Sequence, residues 1–253
     1  MKRKDWSFQM EDEGEMPWLD MQLSKETMDY LWGIINHPTP QQQTDASANK
    51  TLAGNISKSY YIQDKDNWFY ENVLKLCAET IYFKEWANYY NVHIVKEVPP
   101  PVFTLERLWV NYQKQHEFNP PHNHSGHFSF VMFMKIPTHW KEQHALPFAI
   151  NSNGPTASDF QFLLGQKSGF VEVANIPLSS EDEGRLLFFP AWLLHQVFPF
   201  YGTEEERITI SGNIVDNTFP SPEMQVDILE KDIETMQKQK AHLKKTAFPK
   251  EML

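Results

Sequence analysis

The sequence has one cysteine, Cys77, in 253 residues. A single thiol builds no disulfide framework, which excludes the small cystine-stapled secreted scaffolds and points to a reducing, intracellular setting. Long apolar runs are missing too. No stretch approaches the length of a membrane span, and the opening residues, MKRKDWSFQMEDEGEM, contain no h-region. The expectation is a soluble, cytoplasmic protein with no membrane partner. Positive charge is scarce: 23 Lys and Arg stand against 33 Asp and Glu, for a formal net charge of −10. A sequence-independent nucleic-acid binder needs a positive surface that releases counterions, so nucleic acid is not an expected partner.

What is present leans towards β structure. Apolar residues make up 41% of the chain and aromatic residues 14%, enough for one large domain with extensions. Residues 1–22 read as an irregular acidic arm, and Ser24 as the N-cap of a helix running to about Asn36. The segment 37–50 has two prolines, three glutamines and no apolar anchor, and reads as a loop. Trp68–Phe69, Val73, Leu76–Cys77, Ile81 and Trp86 recur at helical spacing and predict a second helix over 66–90 with a core-facing stripe. From Pro99 the texture changes to short segments of period two or continuous apolar character. They fall at 102–112, 128–136, 147–151, 160–164, 169–174, 185–190, 194–199 and 206–215, with turn residues between several of them. Such spacing predicts a sandwich or barrel, with a jelly roll a good candidate. Residues 222–246 form an amphipathic pattern with Val226, Leu229, Ile233 and Met236 on one face, a C-terminal helix that closes the core or forms a homodimer. The expected organisation is a single domain over 1–253: a helical extension over 1–98, a β core over 99–216 and a C-terminal helix over 217–253.

Histidines are unevenly placed. His116, His122, His124 and His127 fall within twelve residues, and His195 stands alone after an apolar strand. Alternate residues of an extended chain point the same way, so the imidazoles of His122 and His124 can converge on one ion. Imidazole suits iron, zinc, copper and nickel alike, so the pair does not name the metal. His116, His127, His139 and His144 read as solvent-facing side chains rather than ligands. On the strand through 207–214, Arg207, Thr209 and Ser211 share one face and Ile208 and Ile210 the other. A buried guanidinium needs a partner, and nothing in the sequence fixes one except Glu204–Glu206, which suit a surface salt bridge. A small dicarboxylate is an attractive partner, because guanidinium binds carboxylate bidentately and a nearby hydroxyl adds a further bond.

A His-x-acid pair, a distal His and Arg-x-Ser/Thr about a dozen residues later is the pattern of the iron(II)/2-oxoglutarate oxygenase superfamily. This chain resembles that family through His122, His124, His195, Arg207 and Thr209, with Arg207 twelve positions beyond His195. HEFNPPHNHSGHFSFVMFMKIP is similar to the prolyl-hydroxylase-like branch, and the whole stretch looks closest to small phage and marine-bacterial members. The resemblance covers roughly residues 100–216 and implies a double-stranded β-helix, the cupin-like jelly roll. It implies Fe(II) as the metal and 2-oxoglutarate and O2 as cosubstrates, with hydroxylation of a C–H bond and release of succinate and CO2. The substrate it implies is a protein side chain, with a small molecule the alternative, and the compartment is the cytoplasm, or the host cytoplasm for a phage-encoded chain.

The sequence departs from the family at His124, where Asp or Glu is usual. Ligation by His124 gives a three-imidazole site; otherwise His124 stands behind the ligands, or an acid comes from elsewhere, with Glu117 near but upstream. The resemblance also assigns Arg207 and Thr209 to the distal carboxylate of 2-oxoglutarate, with Asn111 and Ser129 as further polar candidates. Gly126 reads as a turn residue and Trp192 as part of the site's mouth or a packing residue. Two other readings fit the same histidines: a cupin-like three-histidine dioxygenase independent of 2-oxoglutarate, and a silent binding protein that kept the fold.

Overall fold

The computed structural model describes residues 17–37, 48, 52–89, 102–166 and 168–217. Two antiparallel sheets face each other. The larger holds β1 (Leu19–Gln22), β8 (Arg185–Pro190), β5 (Phe128–Lys135), β10 (Arg207–Asp216), β3 (Phe103–Gln113) and β2 (Lys58–Ile62), in that order across the sheet. The smaller runs β4 (Asn119–His122), β9 (Leu194–Val197), β6 (Phe160–Gly165) and β7 (Val171–Ile176). Neighbours in space are mostly distant in sequence, which is the crossing pattern of a jelly roll and the fold predicted.

Strand alternation divides the core into two layers. Phe128, Phe130, Met132 and Met134 of β5 and Ile210 and Ile214 of β10 face the helices, where Leu31, Phe69, Leu74 and Ala78 meet them. Val131 and Phe133 of β5 face the opposite way and pack with Phe160, Phe162, Leu187 and Phe189 between the two sheets. The first helix, α1 (Lys25–Asn36), begins at Ser24, whose Oγ accepts the Thr27 amide 3.2 Å away, the predicted cap. The second helical stretch opens with a 3-10 turn (Lys65–Asn67) and a π turn (Tyr70–Leu74) before α2 (Lys75–Tyr89). Asp64 accepts the Phe69 and Tyr70 amides and the Tyr30 hydroxyl, satisfying donors that a helix start leaves free.

Three expectations need correction. Residues 147–151 are turns, not a strand, because Phe148 and Ile150 are exposed surface residues whose spacing imitates alternation. The arm assigned to 1–22 contains β1, which pairs with β8 in register Leu19↔Phe188 and buries Leu19 and Met21. β2 and β4 were not expected; β4 carries two prolines, which an edge strand tolerates because one of its sides needs no donors. One compact unit takes in residues up to 98 and 103–215; the other, 99–102 with 216–253, is described only at Val102, Asp216 and Asn217. The predicted C-terminal helix over 222–246, and with it the homodimer, lies outside the described residues, as do the opening residues of the N-terminal arm and most of the loop over 37–50. No described helix is long and apolar enough to cross a membrane.

Candidate metal centre and cosubstrate cavity

His122 and His195 are directly opposite each other in the β4–β9 register, so one cross-strand pair brings together residues far apart in sequence. His124 follows two residues after His122 in a loop pinned at both ends: its amide donates to Ala191 O at 2.9 Å, and the Ala191 amide donates to His127 O at 2.9 Å. Gly126 makes the turn at φ 97°, and a Cβ there would sit 2.8 Å from the Ile214 carbonyl oxygen. The result is that ligand nitrogens of His122, His124 and His195 lie within 4.8 Å of one another. Among the described residues this is the one such cluster of metal-ligating side chains.

The three rings are prepared to act as neutral ligands. Nδ1 of His122 lies 2.7 Å from Pro120 O and Nδ1 of His195 lies 3.0 Å from Leu193 O, contacts that place the proton on Nδ1 and leave each Nε2 lone pair free. Nε2 of His124 and Nε2 of His195 lie 3.2 Å apart. Burial lowers the His122 pKa below that of an ordinary imidazole, lowers His124 to about 3 and lowers His195 well below the usual range; the neighbouring rings push His124 and His195 further the same way. Phe160, Phe162 and Phe189 surround His195, with ring centroids 5.5, 6.2 and 4.8 Å away, and keep that side of the site dry. Three neutral nitrogens converging on one point fit a divalent transition metal. Among the described residues no carboxylate joins them. The Glu117 carboxylate accepts the Ser57 and Lys114 amides instead.

A cavity of about 200 Å³ leads from the histidines to Arg207. The alternation of β10 points Arg207, Thr209, Ser211 and Asn213 into it, and β3 contributes Trp109, Asn111 and Gln113 from the side. Arg207 is fully buried. Its Nη2 donates to Ser158 O at 2.8 Å and to Ser158 Oγ, its Nη1 reaches Gln113 Oε1 at 3.5 Å, and Nε has no partner. The nearby glutamates pair elsewhere: Glu205 with Lys135 at 2.7 Å, Glu206 with Lys58 at 3.5 Å, and Glu204 with the Gln115 amide at 2.7 Å. Burial lowers the Arg207 pKa to about 10, so the guanidinium stays charged at neutral pH. A charged, buried donor with an unbonded N–H at the end of a polar cavity fits a carboxylate ligand.

The other candidates separate. Asn111 lines the cavity, receives the Ser59 hydroxyl at 2.7 Å and donates to Thr209 Oγ1 at 3.4 Å. Ser129 is buried and does not line it; its hydroxyl donates to Gly212 O at 3.0 Å. His127 packs among Phe103, Phe128 and Tyr82, and Trp192 is exposed outside the cavity lining. Sequence reasoning missed Ser158, Asp159, Gln113 and His144. His144 is not a solvent-facing side chain: its Nε2 lies 2.9 Å from Asp159 Oδ1, and the Asp159 carboxyl is buried behind Arg207. The positive φ of 75° at Ser158, a non-glycine residue, is the local sign of a site there, and no sequence motif announces it.

Comparison with known proteins finds a family match over the β core. The model of the family described as "Putative 2OG-Fe(II) oxygenase" matches residues 107–213, the span that holds all three histidines and Arg207. Those residues form a 2OG-Fe(II) oxygenase domain. Solved structures similar to the chain include a Pseudomonas putida prolyl-4-hydroxylase, at 11% identity over 78% of this chain and 91% of that one, with TM-score 0.44. Others are a viral collagen prolyl hydroxylase from Paramecium bursaria Chlorella virus-1 (12% identity, 79% and 96% covered, TM-score 0.44) and HygX from Streptomyces hygroscopicus (9%, 79% and 83%, TM-score 0.41). No curated protein matches the chain. The oxygenase domain uses Fe(II), 2-oxoglutarate and O2, which agrees with the three-histidine cluster.

Proposed function

We propose that this oxygenase holds its iron with three imidazoles, from His122, His124 and His195, and seats the distal carboxylate of 2-oxoglutarate on Arg207 with Thr209 beside it. The observation that carries the reading is the cavity itself, which has neutral nitrogen ligands at one end and the buried guanidinium of Arg207, one of its N–H groups without a partner, at the other. Bound iron and 2-oxoglutarate supply the oxidising chemistry, with loss of CO2 and formation of succinate. The protein's part is to bind and orient. Nδ1–H of His122 and of His195 lock ring orientation through backbone carbonyls. Arg207 fixes the cosubstrate's far end, Asn111 holds Thr209 in place, and Phe160, Phe162 and Phe189 exclude water. Exchanging the family's usual carboxylate for His124 removes one negative charge next to the metal, which favours an anionic cosubstrate.

The substrate we propose is a C–H bond of a protein side chain. A cavity of about 200 Å³ is below the range that encloses a whole drug-sized ligand and suits 2-oxoglutarate plus one side chain entering from outside. A small molecule is the second reading. The chain is taken to work as one domain in a cytoplasmic setting. The test is succinate release from 2-oxoglutarate with iron in wild type, His122→Ala and Arg207→Ala. Rates equal in all three would overturn the proposal, loss in His122→Ala alone would remove Arg207 from the cosubstrate's seat, and no succinate from wild type would favour a three-histidine dioxygenase that ignores 2-oxoglutarate.

A further inference from the structure

Behind Arg207 lies a second set of buried polar groups that the proposed reaction does not use. Ser158 and Asp159 sit just before β6 and are both fully buried. Ser158 adopts φ 75°, a left-handed conformation that costs an L-residue of order 1–3 kcal/mol unless its surroundings impose it. Here they do: its amide donates to Pro199 O at 2.9 Å and its hydroxyl meets Thr138 Oγ1 at 3.2 Å. The strained turn presents the Ser158 carbonyl and hydroxyl oxygens to the same guanidinium nitrogen. Asp159 is held as firmly. Its carbonyl accepts the Phe198 amide at 2.9 Å, and Oδ1 lies 2.9 Å from Nε2 of His144 on α3 (Trp140–His144).

Asp159 does not close on Arg207. Among the described residues no ion pair reaches the guanidinium, although the two charges sense each other, and both Asp159 Oδ2 and Arg207 Nε are left without a hydrogen-bond partner. A buried cation with no counter-charge is costly, while a full ion pair would occupy the donor that a ligand needs. Holding the carboxylate at one remove offsets the charge and leaves the N–H free.

We propose that Asp159, tethered by His144, is the resident counter-charge of Arg207, and that Ser158 aims the guanidinium into the cavity, so that these three positioning residues set the affinity and selectivity for a dicarboxylate 2-oxo acid. The inference rests on Arg207 seating the distal carboxylate. It makes two variants move in opposite directions. Asp159→Asn removes the competing charge and strengthens the hold on an incoming carboxylate. His144→Ala releases Asp159 to approach Arg207 and weakens it.

The experiment is calorimetric binding to the nickel(II)-loaded full chain, comparing 2-oxoglutarate with 2-oxopentanoate, which has the same chain length but no distal carboxylate. The ratio of the two dissociation constants is the readout. It widens about tenfold in Asp159→Asn, the size of a one-unit electrostatic effect, and narrows in His144→Ala. Loss of thermal stability in Asp159→Asn with an unchanged ratio would make Asp159 a structural residue and overturn the proposal, as would both variants moving the ratio the same way. Should Asp159→Asn not fold, His144→Ala and Ser158→Ala, both expected to narrow the ratio, decide the matter: no change in either overturns it. Wild type with no preference for 2-oxoglutarate removes the seat at Arg207 and the inference together, whereas a wild-type preference untouched by the variants removes the inference alone.

Discussion

The two ends of the cavity are built on opposite principles. At the metal end the side chains are neutral and burial keeps them so, and the His122 and His195 rings take their orientation from backbone carbonyls two residues away in sequence. At the Arg207 end the side chain keeps its charge despite complete burial, and its partners come from residues 49 and 94 positions away. Local contacts therefore orient two of the ligand rings once β4 and β9 have paired, while the guanidinium takes its partners from two other parts of the jelly roll. One cavity can therefore be damaged in two separable ways.

His195→Ala should damage the metal end most. Outer-shell partners of a metal commonly contribute 10–100-fold, so loss of a ligand should lower metal affinity, measured by equilibrium competition, by more than about 100-fold. Arg207→Ala should leave metal affinity nearly intact and raise the KM for 2-oxoglutarate by roughly 10–100-fold, the worth of a charge-assisted hydrogen bond. A similar loss of metal binding in both variants would mean the two ends are not separable. Gly126→Ala tests the loop that carries His124. A Cβ 2.8 Å from Ile214 O and a positive φ should cost about 1–3 kcal/mol in urea unfolding and weaken metal binding more than cosubstrate binding. The smallest expected effect lies in the helical layer, far from both ends. Burial raises the Cys77 thiol to about 12, so native protein should show almost no alkylation at pH 7.5, against rapid labelling in denaturant.

The metal end was legible in the sequence because it follows a period. His122 and His124 alternate along an extended chain, and the apolar strand before His195 marked its burial. The face of β10 was legible for the same reason, since Arg207, Thr209 and Ser211 step by two between isoleucines. Ser158, Asp159 and His144 were not, because they come from a turn and a five-residue helix whose local patterns carry no period and whose meeting is purely tertiary. Surface hydrophobicity misled at 147–151, where Phe148 and Ile150 are 63% and 60% exposed. β1 escaped notice because four residues with two buried positions are too few to show alternation.

β10 serves the core and the cavity at once: its even-numbered isoleucines face the helices and its odd-numbered polar residues face the cavity. A single-residue deletion in the Thr203–Glu206 turn that shifted its register by one would put Ile208 and Ile210 into the cavity and drive Arg207 into the apolar layer. Such frameshifts of side-chain facing are penalised twice, in folding and in cosubstrate binding. In-frame changes of length near this strand should therefore be tolerated in pairs of residues, or absorbed in the turn, and not singly within β10.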